Sequence, residues 1–249
     1  MPMITSPQNP RVKLVQALQS RARTRRKEGK VVLEGVRLVQ DALAQGYLPE
    51  FVFYTPDFDG NHLPNAEMVS DAVMKAMSDT QQPQGVIAVF PMPQAVLPVS
   101  PARILILDAI RDPGNLGTIL RTAGAAGVQA VILSPDCVDA YNPKVLRAGM
   151  GAHFRLPVIA QAWEDIAEYI ALLTLYLADS SGDQRYDQVD WSQPWALLIG
   201  SEAHGAGEQA TQLVQQRVFI PTAAQTESIN AAMAASVILF EAQRQLLML

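Results

Sequence analysis

The second half of the chain is the part that most narrows what it can fold into. Short apolar runs recur there: Ile104–Leu107, Ala130–Leu133, Leu156–Ile159, Leu175–Ala178, Ala196–Ile199 and Val218–Ile220. Brief runs that are apolar throughout, with no polar alternation, suit strands covered on both faces. Segments of helical composition separate most of them, at Leu116–Ala126, Pro143–Gly149, Glu164–Leu173, Glu208–Gln216 and Ile229 to about Leu246. Strands alternating with helices build a parallel sheet with helices on both sides. Ligands on such sheets bind beyond the carboxyl ends of the strands, which directs attention to the loops after Leu107, Ile199 and Ile220.

The first ninety residues form a different, smaller α/β pattern. A capped helix opens it, with Leu14, Val15 and Leu18 on one face, and a basic segment runs on to Gly29. Strands are expected at Val31–Leu33, Phe51–Tyr54, near Met68 and at Gly85–Phe90, with helices at Val36–Ala44 and Asp71–Met77. Pro91, Pro93, Pro98 and Pro101 then break up any regular element, so an extended connector is expected there. That places a boundary between a domain of residues 1–95 and one of residues 96–249.

Composition excludes several classes. No apolar run reaches the roughly 20 residues of a membrane span, and residues 1–22 lack the apolar core of an export signal. The single Cys137 cannot form an internal disulfide or a cysteine metal cluster, which fits a reducing cytoplasm. His62, His153 and His204 share no ligand spacing, so no metal is expected, and His204 reads as a loop residue without chemical duty. The net charge of −5 hides an asymmetry: from Arg11 to Arg37 nine Lys/Arg face only Glu28 and Glu34, a local +7. After residue 95 nine basic residues meet fifteen acidic ones. Arg11, Lys13, Arg21, Arg23, Arg25, Arg26, Lys27 and Arg37 are therefore the candidates for contact with phosphate, against the alternative of an ordinary solvated helix face.

Three loops carry the chemistry. The first, Asp108 to Val128, opens with the turn Asp112-Pro113-Gly114-Asn115 and runs into a helix. Arg121 follows Asn115 by six residues, so the two lie about 120° apart around that helix and flank a site rather than stack. The segment contains neither GxxxxGK nor GxGxxG, which weighs against nucleoside triphosphates and NAD. The second loop, Ile199 to Gly207, sets Glu202 among Gly200, Gly205 and Gly207, an acid poorly placed beside a polyphosphate. The third, Val218 to Ser236, ends a short strand at Pro221 and re-emerges as a helix, with Ser228 and Asn230 at its start. Ordinary N-capping explains those two residues as well as ligand binding does.

Taken in order, Asn115 and Arg121, then Gly200-Ser201-Glu202, then Ile220-Pro221 with Glu227-Ser228-Ile229-Asn230 resemble the SpoU/TrmH-type RNA ribose 2'-O-methyltransferases of the SPOUT superfamily. The likeness spans residues 102–249. More weakly, SPQNPRVK and VVLEGVRLVQDAL resemble the small RNA substrate-binding domain that precedes this catalytic domain in many members. The resemblance implies an α/β fold in which a parallel-sheet domain with a deep trefoil knot follows a small α/β substrate-binding domain. It implies S-adenosylmethionine as cofactor, cradled around Ala178, Gly200, Ile220, Ser228, Ile229 and Asn230. It also implies a homodimer with each active site near the subunit interface.

By the same resemblance Arg121 is catalytic, with Asn115, Glu202, Ser228 and Asn230 completing the site. A guanidinium stays protonated and is a poor base, so Arg121 fits better as an anchor for the target phosphate, oriented by Glu202. The substrate implied is RNA, ribosomal in preference to transfer RNA, with a non-catalytic RNA-binding assembly factor as the reading from a different class. A small-molecule α/β enzyme gains nothing from the basic segment. Two positions depart from the family pattern, Ala203 and Ala224, where glycine is common; if either needs positive φ, the cofactor loop must be shaped differently.

Overall fold

The structure, a computed structural model, describes residues 3–60, 62–223 and 229–248. In chain order the elements are α1 (Pro10–Ser20), α2 (Ala22–Glu28), β1 (Lys30–Glu34), α3 (Val36–Ala44), β2 (Phe51–Tyr54), β3 (Ala66–Met68), α4 (Asp71–Met77) and β4 (Val86–Pro91). Then follow β5 (Arg103–Leu107), α5 (Pro113–Ala125), β6 (Ala130–Leu133), α6 (Pro143–Gly149), β7 (Val158–Ala160), α7 (Trp163–Tyr169) and β8 (Thr174–Ala178). The chain ends with β9 (Gln184–Arg185), β10 (Trp195–Ile199), α8 (Glu208–Leu213), β11 (Gln216–Phe219) and α9 (Ala231–Leu246). Residues 92–102 carry no regular structure.

Two compact units result, and they are not two contiguous halves. Unit 1 holds residues 1–93 together with 141–154; unit 2 holds 94–140 and 155–249. Helix α6 therefore packs with the N-terminal unit, although it lies within the sequence of the C-terminal one.

Unit 1 is a four-stranded sheet of order β1-β4-β2-β3, antiparallel except for the β2–β3 pair. Strand alternation divides its side chains between two cores. Phe51, Phe53, Ile87 and Val89 face Val12, Val15 and Leu18 of α1 and the apolar side of α4. Val31, Leu33, Ala88 and Phe90 face Leu38, Val39 and Ala42 of α3, joined by Leu146 and Phe154 from the 141–154 segment. The basic stretch is two helices, because Arg21 is extended between α1 and α2; Gly29, at φ +61°, ends the second.

Unit 2 is a seven-stranded sheet of order β7-β6-β5-β10-β8-β11-β9, parallel throughout. Its central strands β5 and β10 are almost wholly buried, as uninterrupted apolar runs require. Strand β10 lies between β5 and β8, so the last third of the chain returns to the middle of the sheet instead of extending an edge. Three expectations need correction. The helix expected to run from Glu208 to Gln216 stops at Leu213, and Gln216 opens β11. The helix expected to reach Leu173 stops at Tyr169, because a turn closed by Leu173 N–H to Ile170 C=O (2.8 Å) swings the chain into β8 and leaves Leu172 in solvent. The terminal helix starts at Ala231, with Asn230 outside it as its cap.

Candidate functional site

The carboxyl ends of β8, β10 and β11 open onto a cavity of about 910 Å3. Ala178, Gly200, Ile220 and Ile229, four of the six residues expected to hold a cofactor, line it, and Asn230 sits at its rim between Ile229 and Ala231. Ser228, the sixth, falls outside the described residues, as does Ala224. The loop after β10 folds back as a tight hairpin, with Ser201 and Gly205 exchanging both backbone hydrogen bonds at 2.9 Å. Only glycine is possible at position 200, since a Cβ there would collide with the backbone of Gly205 and Ala206. The left-handed residue of the hairpin is Gly205, φ +66°; Ala203 has no positive φ, so its methyl does not oppose the loop's shape.

A second fastening was not legible in the sequence. Asp108, buried at the end of β5, accepts the Gly207 N–H at 2.7 Å and so pins the far end of the hairpin to the neighbouring strand. On the cavity's other flank Asp179 accepts from the Ser181 N–H (2.9 Å), the Ser181 hydroxyl (2.8 Å) and the Arg217 guanidinium (2.5 Å). Burial pushes this carboxyl up, but the Ser181 and Arg217 hydrogen bonds outweigh that and hold it below the usual carboxylate range. Gly182 lets this turn lie against the backbone of Arg217 and Val218. Asp179-Ser180-Ser181-Gly182 is a turn signature after a strand, and that was the available signal.

The three loops meet in one polar junction. Glu202 Oε1 accepts from Asn115 Nδ2 (2.8 Å), from Asn230 Nδ2, and from the Ala231 N–H at the start of α9 (3.2 Å). Asn230 Nδ2 also donates to Asn115 Oδ1 (3.2 Å). Each asparagine stands at a helix start for a local reason. Asp112 caps α5 by accepting the Asn115 N–H at 2.7 Å, and Asn230 Oδ1 caps α9 by accepting from Ala232 (3.0 Å) and Met233 (3.2 Å). Capping and site-building are thus done by the same Asn230 side chain, one oxygen turned to the helix and one amide turned to Glu202.

Arg121 is not part of this junction. It lies on the exposed side of α5 with Thr118 and Ala125, does not line the cavity, and makes no hydrogen bond or ion pair with the described residues. Glu202, expected to orient it, is instead committed to the two asparagines. Among the described residues no group of three or more His, Cys, Asp or Glu could hold a metal ion. No helix there is long and apolar enough to cross a membrane.

The basic residues of unit 1 divide into two kinds. Lys13, Arg21, Arg23, Arg26, Lys27 and Arg37 are exposed and make no ion pair with described residues. Arg25 is a correction: it is buried, 3% exposed, and its Nη1 donates to the Leu18 (2.5 Å) and Gln19 (3.2 Å) carbonyls that α1 leaves unsatisfied at its end. Arg11 is engaged as well, paired with Glu67 and lying 5.3 Å over the Phe51 ring.

The SpoU rRNA Methylase family model matches residues 102–240. The MRM3-like substrate binding domain model matches residues 9–88. The chain is 38% identical to the rRNA methyltransferase 3A, mitochondrial, of Danio rerio, over 90% of this chain and 66% of that protein, so it spans about two thirds of that relative's length. It is 30% identical to the 23S rRNA (guanosine(2553)-2'-O)-methyltransferase RlmP of Bacillus subtilis, over 96% of this chain and 98% of that one. Among solved structures, the SpoU methyltransferase AviRb from Streptomyces viridochromogenes, in complex with the cofactor AdoMet, superposes with a TM-score of 0.87 at 27% identity, covering 96% of this chain and 99% of that one.

Proposed function

The chain belongs to the SpoU rRNA methylase family, and from that premise we propose that it transfers a methyl group from S-adenosylmethionine to a ribose 2'-hydroxyl of RNA, ribosomal RNA foremost. The observation that carries the reading is the Asn115–Glu202–Asn230 junction beside the 910 Å3 cavity. That cavity suits an adenosyl compound without phosphates. Leu177, Ile199, Ile229 and Ile238 supply apolar wall beside the polar Ser201, Glu202 and His204, and Arg217, the one Arg or Lys among its described lining residues, is already engaged by Asp179. Ala178, Gly200, Ile220 and Ile229 would hold the cofactor, which when bound supplies an electrophilic methyl group on a sulfonium.

The chain's own contribution is alignment. In-line displacement requires the acceptor oxygen to be held at a fixed approach, and the two asparagines, locked to Glu202 and to the helix starts, are rigid neutral donors and acceptors for that purpose. The 2'-hydroxyl proton must leave as the bond forms. Arg121, without an ion pair among the described residues and permanently charged, fits an anchor for the adjacent phosphate and not a base.

A homodimer belongs to the same proposal. Met233 (64% exposed), Val237, Phe240 (50%) and Leu247 (79%) form an uncovered apolar stripe along α9. Helix α5, which carries Arg121, packs directly beside α9, with Thr122 and Ser236 hydroxyls 3.1 Å apart. A second copy seated there would bury the stripe and bring another subunit up to Arg121. The trefoil-knotted path belongs to the same proposal and rests on the family membership. A cytoplasmic location is consistent with the free Cys137 thiol.

The test is transfer of labelled methyl from S-adenosylmethionine to under-methylated ribosomal RNA, with the product ribose identified after digestion. The reading requires label on the 2'-oxygen and its loss in Arg121→Ala. Cofactor binding by a folded protein with no transfer to any RNA pool would favour an assembly factor and overturn it.

A further inference from the structure

A second cavity, about 570 Å3, adjoins the first at the 200–207 hairpin: Ser201, Glu202, His204, Gly205 and Ala231 line both. Its size is that of a ligand site, for which about 300–1,000 Å3 is usual. Displacement at a methyl group proceeds from the face opposite the leaving sulfur, so an acceptor must reach the first cavity from a chamber contiguous with it. The second cavity shares the wall that carries Glu202, which meets that requirement.

Its charges are uneven. Of its five lining carboxylates, three are committed: Asp108 to the Gly207 N–H, Asp112 to the Asn115 N–H and Glu202 to the asparagines. Asp136 and Glu208 line the cavity and are exposed. Arg111 is the one Lys or Arg among the lining residues, and it makes no hydrogen bond or ion pair with the described residues. Among apolar and neutral walls that include Ile110, Trp163 and Ala203, a guanidinium whose only charged neighbours in the lining are carboxylates offers its fork to one phosphate, while those acids disfavour a run of them.

We propose that this second cavity is the acceptor subsite, and that Arg111 holds a single phosphodiester of the target nucleotide in it. The inference rests on the methyltransferase reading above and adds to it how RNA enters: as one nucleotide pulled out of its strand, the flanking backbone being kept away by Asp136 and Glu208. Arg111 acts as a positioning residue, distinct from Arg121 on the outer side of α5.

The experiment compares full-length wild type, Arg111→Ala, Arg111→Lys and Gln209→Trp, the last narrowing the same cavity from α8. KM for under-methylated ribosomal RNA, kcat, cofactor affinity by calorimetry and the salt dependence of KM are measured for each. Arg111→Ala is expected to raise KM for RNA tenfold or more with cofactor affinity unchanged, and to make the slope against log salt shallower by about 0.7 to 0.9. Arg111→Lys should recover part of the KM, as a charge without the bidentate fork, and Gln209→Trp should raise KM with the salt slope unchanged. An unaltered KM and salt slope in folded Arg111→Ala overturns the inference while leaving the methyltransferase reading intact. Parallel loss of cofactor binding overturns it too, by assigning Arg111 to the first cavity. If wild type methylates no RNA, the underlying reading falls and the inference with it.

Discussion

Asn230 joins two tasks that substitution can separate. Asn230→Ala removes the α9 cap, at a cost of about 1 kcal/mol, or about 2–4 °C in Tm for a chain of this size, and also frees Glu202 and Asn115. Asn230→Ser keeps a capping oxygen but cannot reach the junction, so Tm should stay near wild type while kcat falls by about 10²-fold, the scale of an ångström's misplacement. If the Ser variant keeps full kcat, the junction is structural only. Arg25 offers the converse case. Arg25→Met strands two helix-end carbonyls and should lower stability by about 1–3 kcal/mol in a denaturant titration, with RNA affinity unchanged below the transition. Neither residue's role could be read from the chain alone. Asn230 announced a helix start, but Glu202, its partner, is distant in sequence. Arg25 stood in a run of cations and carried no local sign that it, unlike Arg23 and Arg26, turns inward.

Among the elements, the helices and central strands were legible because their apolar periodicity and caps are local properties: α3, α4 and α6 and strands β2 and β6 begin and end where the sequence places them. Strand β9 was not, since Gln184–Arg185 is two polar residues whose pairing comes only from β11. The turn after β8 yields a pH prediction. With its folded pKa lowered, Asp179 contributes stability that is present above the ordinary carboxylate value of about 3.9 and is lost as pH falls through the lowered pKa. Asp179→Asn should therefore flatten the decline of the urea midpoint below pH 4 relative to wild type. Helix α9 gives a prediction of assembly. Phe240→Asp should convert a dimer to a monomer in sedimentation, because it places a charge in the middle of the apolar stripe; a wild type that sediments as a monomer removes the proposed interface.

For the whole molecule, the net charge of −5 misdescribes what RNA meets, because the cations are concentrated in unit 1. The structure also revises the count available there. With Arg25 buried and Arg11 paired, six exposed cations without an ion pair among the described residues remain between Arg11 and Arg37, which caps that stretch's share of the salt slope for single-stranded RNA at about −4. Replacing Arg23 and Arg26 by alanine should reduce the slope of log K against log salt by about 1.4, as measured by filter binding at several salt concentrations; a smaller change would move the binding face elsewhere. The division into units was half legible: prolines between 91 and 101 signal a break, but nothing in residues 141–154 shows which unit they join. That segment has a consequence for inheritance and engineering. Because Leu146 and Phe154 complete an apolar core of unit 1, the chain crosses between units three times, and no single cut frees either one whole. A lineage or a designer wishing to exchange the recognition unit must graft two separate pieces together, so its specificity is inherited with part of the catalytic half's sequence.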